Sequence, residues 1–203
     1  NTKVVATGDN VGGIVGTNYA GTIYNCQNYA DVTGRSSVGG IAGYTRDYYD
    51  NKDGYIIACT SYSDATITAT KEKGYIGGIA GSTLADNLHT NTYAHIVACA
   101  SFSEVVGGAE SKKGAIIGMI LQDQHTVGCV AIKNGVTALY GSGKPTTDSG
   151  IKDAILYDAA YGATQSDVDA LNAAITHYNG KNPPSEAYCN FTWALVNGFP
   201  VLR

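Results

Sequence analysis

A hexapeptide recurs along this 203-residue chain and constrains its fold more than any other feature. It reads VGGIVG at residues 11–16, VGGIAG at 38–43 and IGGIAG at 76–81, with a weaker version, IIGMIL, at 116–121 that keeps only Gly118. The starts lie 27, 38 and 40 residues apart. Between the copies runs a second segment: TIYNCQNYADV from Thr22, YIIACTSYSDA from Tyr55, HIVACASFSEV from His95 and HTVGCVAIKNG from His125. It sets Cys26, Cys59, Cys99 and Cys129 in one column. Two motifs alternating in fixed order define a repeat array, in which each unit buries its core only by stacking on its neighbours. Residues 1–16 match residues 28–43 without a gap. The first ten residues therefore read as the tail of a unit whose front half is missing, and upstream sequence is expected in the parent protein.

Each unit consists of short β-rich segments separated by Gly, Asn, Asp and Ser turn signals. Ile and Val together number 31 against 8 Leu, and 15 of the 19 aromatic residues are Tyr, a balance that favours strands. Units of such unequal length do not suit propeller blades, whereas a solenoid tolerates insertions at its corners. The expected fold is all-β, a parallel β-solenoid of about four irregular coils over residues 1–140, wound right-handed by the crossover rule. A linker and a small α+β capping module are expected over residues 141–203.

Within the coils, Gly13, Gly40, Gly78 and Gly118 read as structural glycines at a bend that lets residues such as Val11 and Ile14 both reach the core. The four repeat cysteines are expected to stack inward, sharing a strand face with Tyr24, Ile57, Val97 and Val127 two residues earlier. Tyr29, Tyr62, Phe102 and Ile132, three residues after each Cys, suggest a second stack at a corner. Asp31, Asp64, Glu104 and Asn134 form a column suited to serving turns. In the C-terminal module, Val168, Leu171, Ile175 and Tyr178 mark a helical stripe with Ser166 as N-cap and Gly180 as stop. Phe191, Trp193 and Leu195 then alternate as a strand before a turn at residues 198–200. Such a module would cover the open end of the solenoid.

Several chemistries lack their residues. The net charge of −4 and the absence of a basic patch argue against nucleic acid. No apolar run reaches the ~18 residues of a membrane span. The cysteines form no CxxC pair, and stacked thiols on one face give poor disulfide geometry, so neither a metal nor a disulfide framework is expected. Residues 141–144 imitate the end of a phosphate loop, but Ala138 and Pro145 break the pattern. The scattered histidines match no catalytic motif, so no cofactor and no catalytic residue is assigned. The positive signal is tyrosine. The inserted segment 44–54 brings Tyr44, Arg46, Asp47, Tyr48, Tyr49 and Asp50 together beside Tyr55, and tyrosine suits glycan or protein recognition.

The GGI(A/V)G copies, each followed by an NC- or AC-containing strand and a short ADV or SDA strand, resemble the GLUG-motif repeats of bacterial cell-surface proteins. The ending VDALN, then FTWALVNGFPVL, looks like the C-terminal module that closes such proteins. The resemblance implies a β-solenoid, an extracellular location on a bacterial surface and a role in adhesion. The partner expected on that basis is a host glycan or extracellular-matrix protein. A passive stalk presenting an upstream head is the alternative, and a polysaccharide-active enzyme a weaker one.

Overall fold

The computed structural model describes residues 2–46, 52–62, 65–84, 93–121, 124–145, 152–158 and 163–203. Parallel strands stack in register into five walls, which makes the chain a β-solenoid with a small C-terminal α+β module. Wall 1 carries the glycine motif: Val11–Gly12, Val38–Gly39, Tyr75–Gly77 and Lys112–Gly114. Wall 2 comprises Val15–Tyr19, Ala42–Arg46, Ala80–Leu84 and Ile117–Ile120, and wall 3 comprises Thr22–Tyr24, Gly54–Ile57, Ala94–Val97 and Gln124–Val127. Wall 4 comprises Gln27–Asn28, Thr60–Ser61, Ala100–Ser101, Cys129–Ile132 and Ala154–Tyr157. Lys3–Val5, Asp31–Gly34, Thr66–Ala69 and Glu104–Val106 form wall 5.

The glycines permit this stacking by being small, not by adopting unusual dihedrals. None of the motif glycines has positive φ. A Cβ at Gly12, Gly39, Gly77 or Gly114 would overlap the carbonyl oxygen three residues on, where the chain folds back from wall 1 to wall 2. At Gly13, Gly40 and Gly78 it would strike the backbone of the next coil and the facing side chains of Asn28, Ser61 and Ser101. Gly43, Gly81, Gly118 and Gly141 press on the wall 1 backbone of the preceding coil. Gly118 thus belongs to this third column, because Gly77 pairs with Gly114 and Ala80 with Ile117. The fourth motif is KGAIIG at residues 113–118, not IIGMIL, three residues earlier than the sequence match suggests. Its middle position is Ala115, while Ala131 stands in register with Ser101. A methyl is gained on one side of this narrow core where a hydroxyl is lost on the other.

A similar slip affects the first strand. The gapless match would pair Val5 with Val32, yet Val4 pairs with Val32 and Val5 is 70% exposed. The extra residue lies among residues 6–10, before Val11 returns to register with Val38. Inside the walls, Ile41, Ile79 and Ile116 are fully buried, as are Ile56 and Ile96 and Cys59, Cys99 and Cys129. Val11, Val32, Val38, Ile67, Ile76 and Val105 fill the corner between walls 5 and 1. Ile14 heads the isoleucine column but is 44% exposed, being on the first rung.

The cysteines stack inward as expected, but the strand residues expected to share their face are wrong by one position. Asn25, Ala58, Ala98 and Gly128, each immediately before a column cysteine, have φ between 52° and 60°. A left-handed residue at the corner interrupts the period-two alternation. Ile56 and Ile96 therefore point inward with the cysteines, while Tyr24, Ile57, Val97 and Val127 point outward. Those outward residues are covered by helix α1, Gln165–Gly180, through Val168, Leu171, Ala174, Ile175 and Tyr178. The stripe is as expected, but the module lies along the side of the solenoid instead of across its end. Its N-cap is Thr164, which forms a capping box with Asp167, so Ser166 is already helical. The helix closes at Lys181, just past Gly180. The strands Trp193–Val196 and Phe199–Leu202 pair antiparallel around Asn197–Gly198, both with positive φ. That Asn-Gly pair, and not residues 198–200, makes the hairpin turn.

The end of the array is closed by further winding. Residues 136–141, VTALYG, follow the rung of the glycine motif: Ile116 N–H donates to Leu139 O, and Tyr140 bridges to Ile117. Ala154 then pairs with Cys129 and ends the cysteine column. All five cysteines are free thiols. Along the column each thiol donates to the carbonyl two residues earlier, as Cys59 Sγ does to Ile57 O at 3.3 Å. Asp31 accepts Thr66 N–H from the next coil at 3.0 Å, Glu104 is exposed, and Asp64 lies outside the described residues.

Gly39→Ala should cost at least about 3 kcal/mol, the upper range for overpacking a filled site. Gly8→Ala, where a Cβ meets nothing within 4 Å, should be near neutral. Urea melts of the two variants check both expectations.

Candidate functional site

The tyrosine segment divides between two surfaces. Tyr44 and Arg46 end their wall 2 strand one coil after Thr17 and Tyr19. The rings of Tyr19 and Tyr44 meet edge to face at 6.4 Å, and the Arg46 guanidinium sits 5.8 Å from the Tyr19 ring centroid. Tyr19 is 55% exposed. The arrangement presents aromatic area with a fixed cation beside it, and cation and ring hold one another. Asp47, Tyr48, Tyr49 and Asp50 lie outside the described residues. The wall 2 strands that end at Arg46 and Leu84 immediately precede residues 47–51 and 85–92 in sequence.

Tyr55 does not join this surface. It is 6% exposed, because it points outward from wall 3 beneath α1. There it belongs to a polar cluster that the sequence reading missed. Asp53 Oδ2 accepts from the Tyr55 hydroxyl at 3.1 Å and pairs with His95 Nε2 at 2.9 Å, while Oδ1 accepts Tyr93 N–H at 2.7 Å. His95 stacks on Tyr55 at 4.8 Å, meets His125 at 5.1 Å and lies 6.1 Å from Tyr178 of α1. The only sequence signal was the Thr22–Tyr55–His95–His125 column, which heads the wall 3 strands. Burial pushes the Asp53 carboxyl up, but its hydrogen bonds, that with His95 foremost, leave it lower than usual. Burial and the adjacent carboxylate hold the Tyr55 phenol well above its ordinary range. With the Asp53 carboxylate occupied on both oxygens and His95 8% exposed, the cluster ties segment 52–55 to the next coil under the helix.

The third surface is a groove of about 320 Å³ between wall 4 and the C-terminal hairpin. Its floor is Ala58, Thr60 and Ala100, small residues that alternate outward from the buried cysteines. One side is the corner column: Tyr62, Phe102 and Ile132, headed by Tyr29, whose ring stacks on Tyr62 at 4.3 Å and 5°. That column is as the spacing predicts, and Tyr157 extends it through its pairing with Ile132. The other side is Phe191 and Trp193, and the hairpin residues 199–202 close one end. Trp193 is locked in place: its indole N–H donates to Gly128 O at 2.7 Å, and Asn172 bonds its backbone at both N–H and C=O. Asn25 and Gln27 supply amides at the rim, Gln27 Oε1 accepting from the Tyr29 hydroxyl at 2.9 Å.

Among the described residues, no three His, Cys, Asp or Glu side chains gather as a metal site. Among those residues, too, no helix is long and apolar enough to cross a membrane.

Because the folded Asp53 carboxyl is held below its unfolded value, its stabilisation is present above about pH 4 and is lost as pH falls through the lowered value. Asp53→Asn should lower the melting temperature at pH 7 and flatten its fall between pH 5 and 2. Thermal melts across that range check the expectation, and parallel curves for the two proteins would contradict it.

Comparison with family models, curated proteins and solved structures finds no match to the chain.

Proposed function

We propose that this chain is an adhesive module of a bacterial cell surface, acting outside the cell by binding a host glycan or an extracellular protein from a rigid β-solenoid. The observation that carries the reading is the Tyr19–Tyr44–Arg46 cluster, exposed at Tyr19 and half-buried at Tyr44 and Arg46, just before residues 47–51. Tyrosine gives large contact area with a polar tip at low entropic cost, and the neighbouring guanidinium limits the freedom lost on binding. The repeat motifs and their likeness to GLUG-motif proteins support the same reading.

In this reading the chain performs no catalysis, needs no cofactor and binds no nucleic acid. The Asp53–His95 pair contains the groups of a general base, yet it serves as an internal tie between coils. Both carboxylate oxygens are engaged within the protein, Oδ1 by Tyr93 N–H and Oδ2 by Tyr55 and His95, and His95 lies 6.1 Å from the Tyr178 ring.

The test is binding of the folded chain to a panel of mammalian glycans and extracellular-matrix proteins, with a heat-unfolded control. Saturable, fold-dependent binding is expected. Tyr19→Ala/Tyr44→Ala should weaken it at least tenfold while the melting temperature stays within about 3 °C, the shift expected of a surface change. A blank panel would move the function to that of a passive stalk.

A further inference from the structure

We propose that the groove between wall 4 and the C-terminal hairpin is a binding site for a neutral oligosaccharide. The proposal rests on the adhesive reading and deepens it, because it adds to the Tyr19–Tyr44 surface a second contact with a stated glycan class.

The chemistry of the lining carries the inference. All 14 lining residues are uncharged. Aromatic rings line it, half-buried at Tyr62, Phe102 and Phe191 and nearly covered at Trp193, together with the small residues of wall 4. The rim offers the Asn25 and Gln27 amides, and the floor offers the Thr60 hydroxyl. A pyranose has this same division: C–H faces that pack on aromatic rings, and an edge of hydroxyls that both donate and accept. Amides and hydroxyls answer such an edge in both roles. A carboxylated or sulfated sugar would bring a charge to a site without a cation, and desolvating that charge would oppose binding. A purely apolar ligand would strand the amides. The volume of about 320 Å³ is at the lower end for small-molecule sites, about 300–1,000 Å³, and suits a short stretch of chain.

The groove is also held in shape before any ligand arrives. Trp193 is fixed at its indole nitrogen and along its backbone, and Gln27 is held by Tyr29, which is itself stacked on Tyr62. A site whose side chains are already ordered loses less entropy on binding. Pro200, itself buried, removes one N–H from the outer hairpin strand, so that strand is a poor template for peptide addition. A saccharide fits the groove better than an extended peptide does.

The chain has one tryptophan, and it lines the groove, so its fluorescence reports occupancy directly. The experiment titrates the protein with neutral hexasaccharides (maltohexaose, cellohexaose, mannohexaose and chitohexaose) and with acidic oligosaccharides (sialyllactose and hyaluronan fragments). At least one neutral sugar should change Trp193 emission saturably, and no acidic sugar should. Tyr62→Ala should weaken that binding at least tenfold, and Gln27→Ala about three- to tenfold, each with an unchanged melting temperature. Silence across the neutral panel, an equal response to acidic sugars, or unaltered affinity in both variants would overturn the site. Glycan binding lost only in Tyr19→Ala/Tyr44→Ala would overturn the groove while leaving the adhesive reading intact. Neutral-sugar binding in the groove without adhesion to any host material would do the reverse.

Discussion

Backbone pressed against backbone at the glycine motif is the contact on which the rest of the molecule depends. In wall 1 each coil reverses sharply and lies on its neighbour with no room for a side chain. Three glycine columns make this possible. One clears the carbonyl three residues on, one clears the next coil and the facing wall, and one clears the coil before. Close approach of this kind buries amides and carbonyls, and each must find a partner. The coils supply it: Ile41 N–H donates to Ile79 O at 3.0 Å, and Ile79 N–H to Ile116 O at 2.9 Å. Stacking in register then brings isoleucine over isoleucine and cysteine over cysteine, so one steric constraint sets both the hydrogen bonds and the core.

A second constraint follows from the left-handed residue before each column cysteine. By breaking the alternation, it gives walls 3 and 4 apolar residues on both faces: Ile56 and Cys59 inside, Ile57 and Ala58 outside. A solenoid wall that is apolar outside needs a cover, and α1 supplies it along the flank. The end of the core is closed separately, by the fifth rung with Leu139 and Ala154. The hairpin beyond α1 and the outer face of wall 4 together line the groove. The proposed binding surface is therefore a consequence of the C-terminal module meeting wall 4.

The repeat, the solenoid, the cysteine and corner columns and the helical stripe were legible because each is a periodic pattern of distinctive residues. What escaped was carried by substitutions that hide equivalence. Ala115 in place of a glycine shifted the fourth motif by three positions, and VTALYG with Ala154 concealed a fifth rung. Ala58 and Ala98 gave no sign of a left-handed corner, since alanine seldom adopts it, although Asn25 and Gly128 in the same column did. Tyr55 looked like part of an exposed loop because its burial comes from α1, more than 100 residues later in the chain. The Asp53–His95 tie was illegible for a similar reason: its members are 42 residues apart and meet only through coil register. The groove joins the repeat to a module outside it, so no local pattern announces it.

The account stands or falls on the inter-coil bonds beside the glycine columns. Native-state hydrogen exchange read at the amides of Gly40, Ile41, Gly78 and Ile79 tests it most directly, since these four donate to carbonyls of the next coil. The prediction is that they exchange only through global unfolding, with the same denaturant dependence as the protein's cooperative melt. Exchange of these amides by local opening, at rates like those of exposed turns, would contradict the claim that the glycine columns hold the coils together.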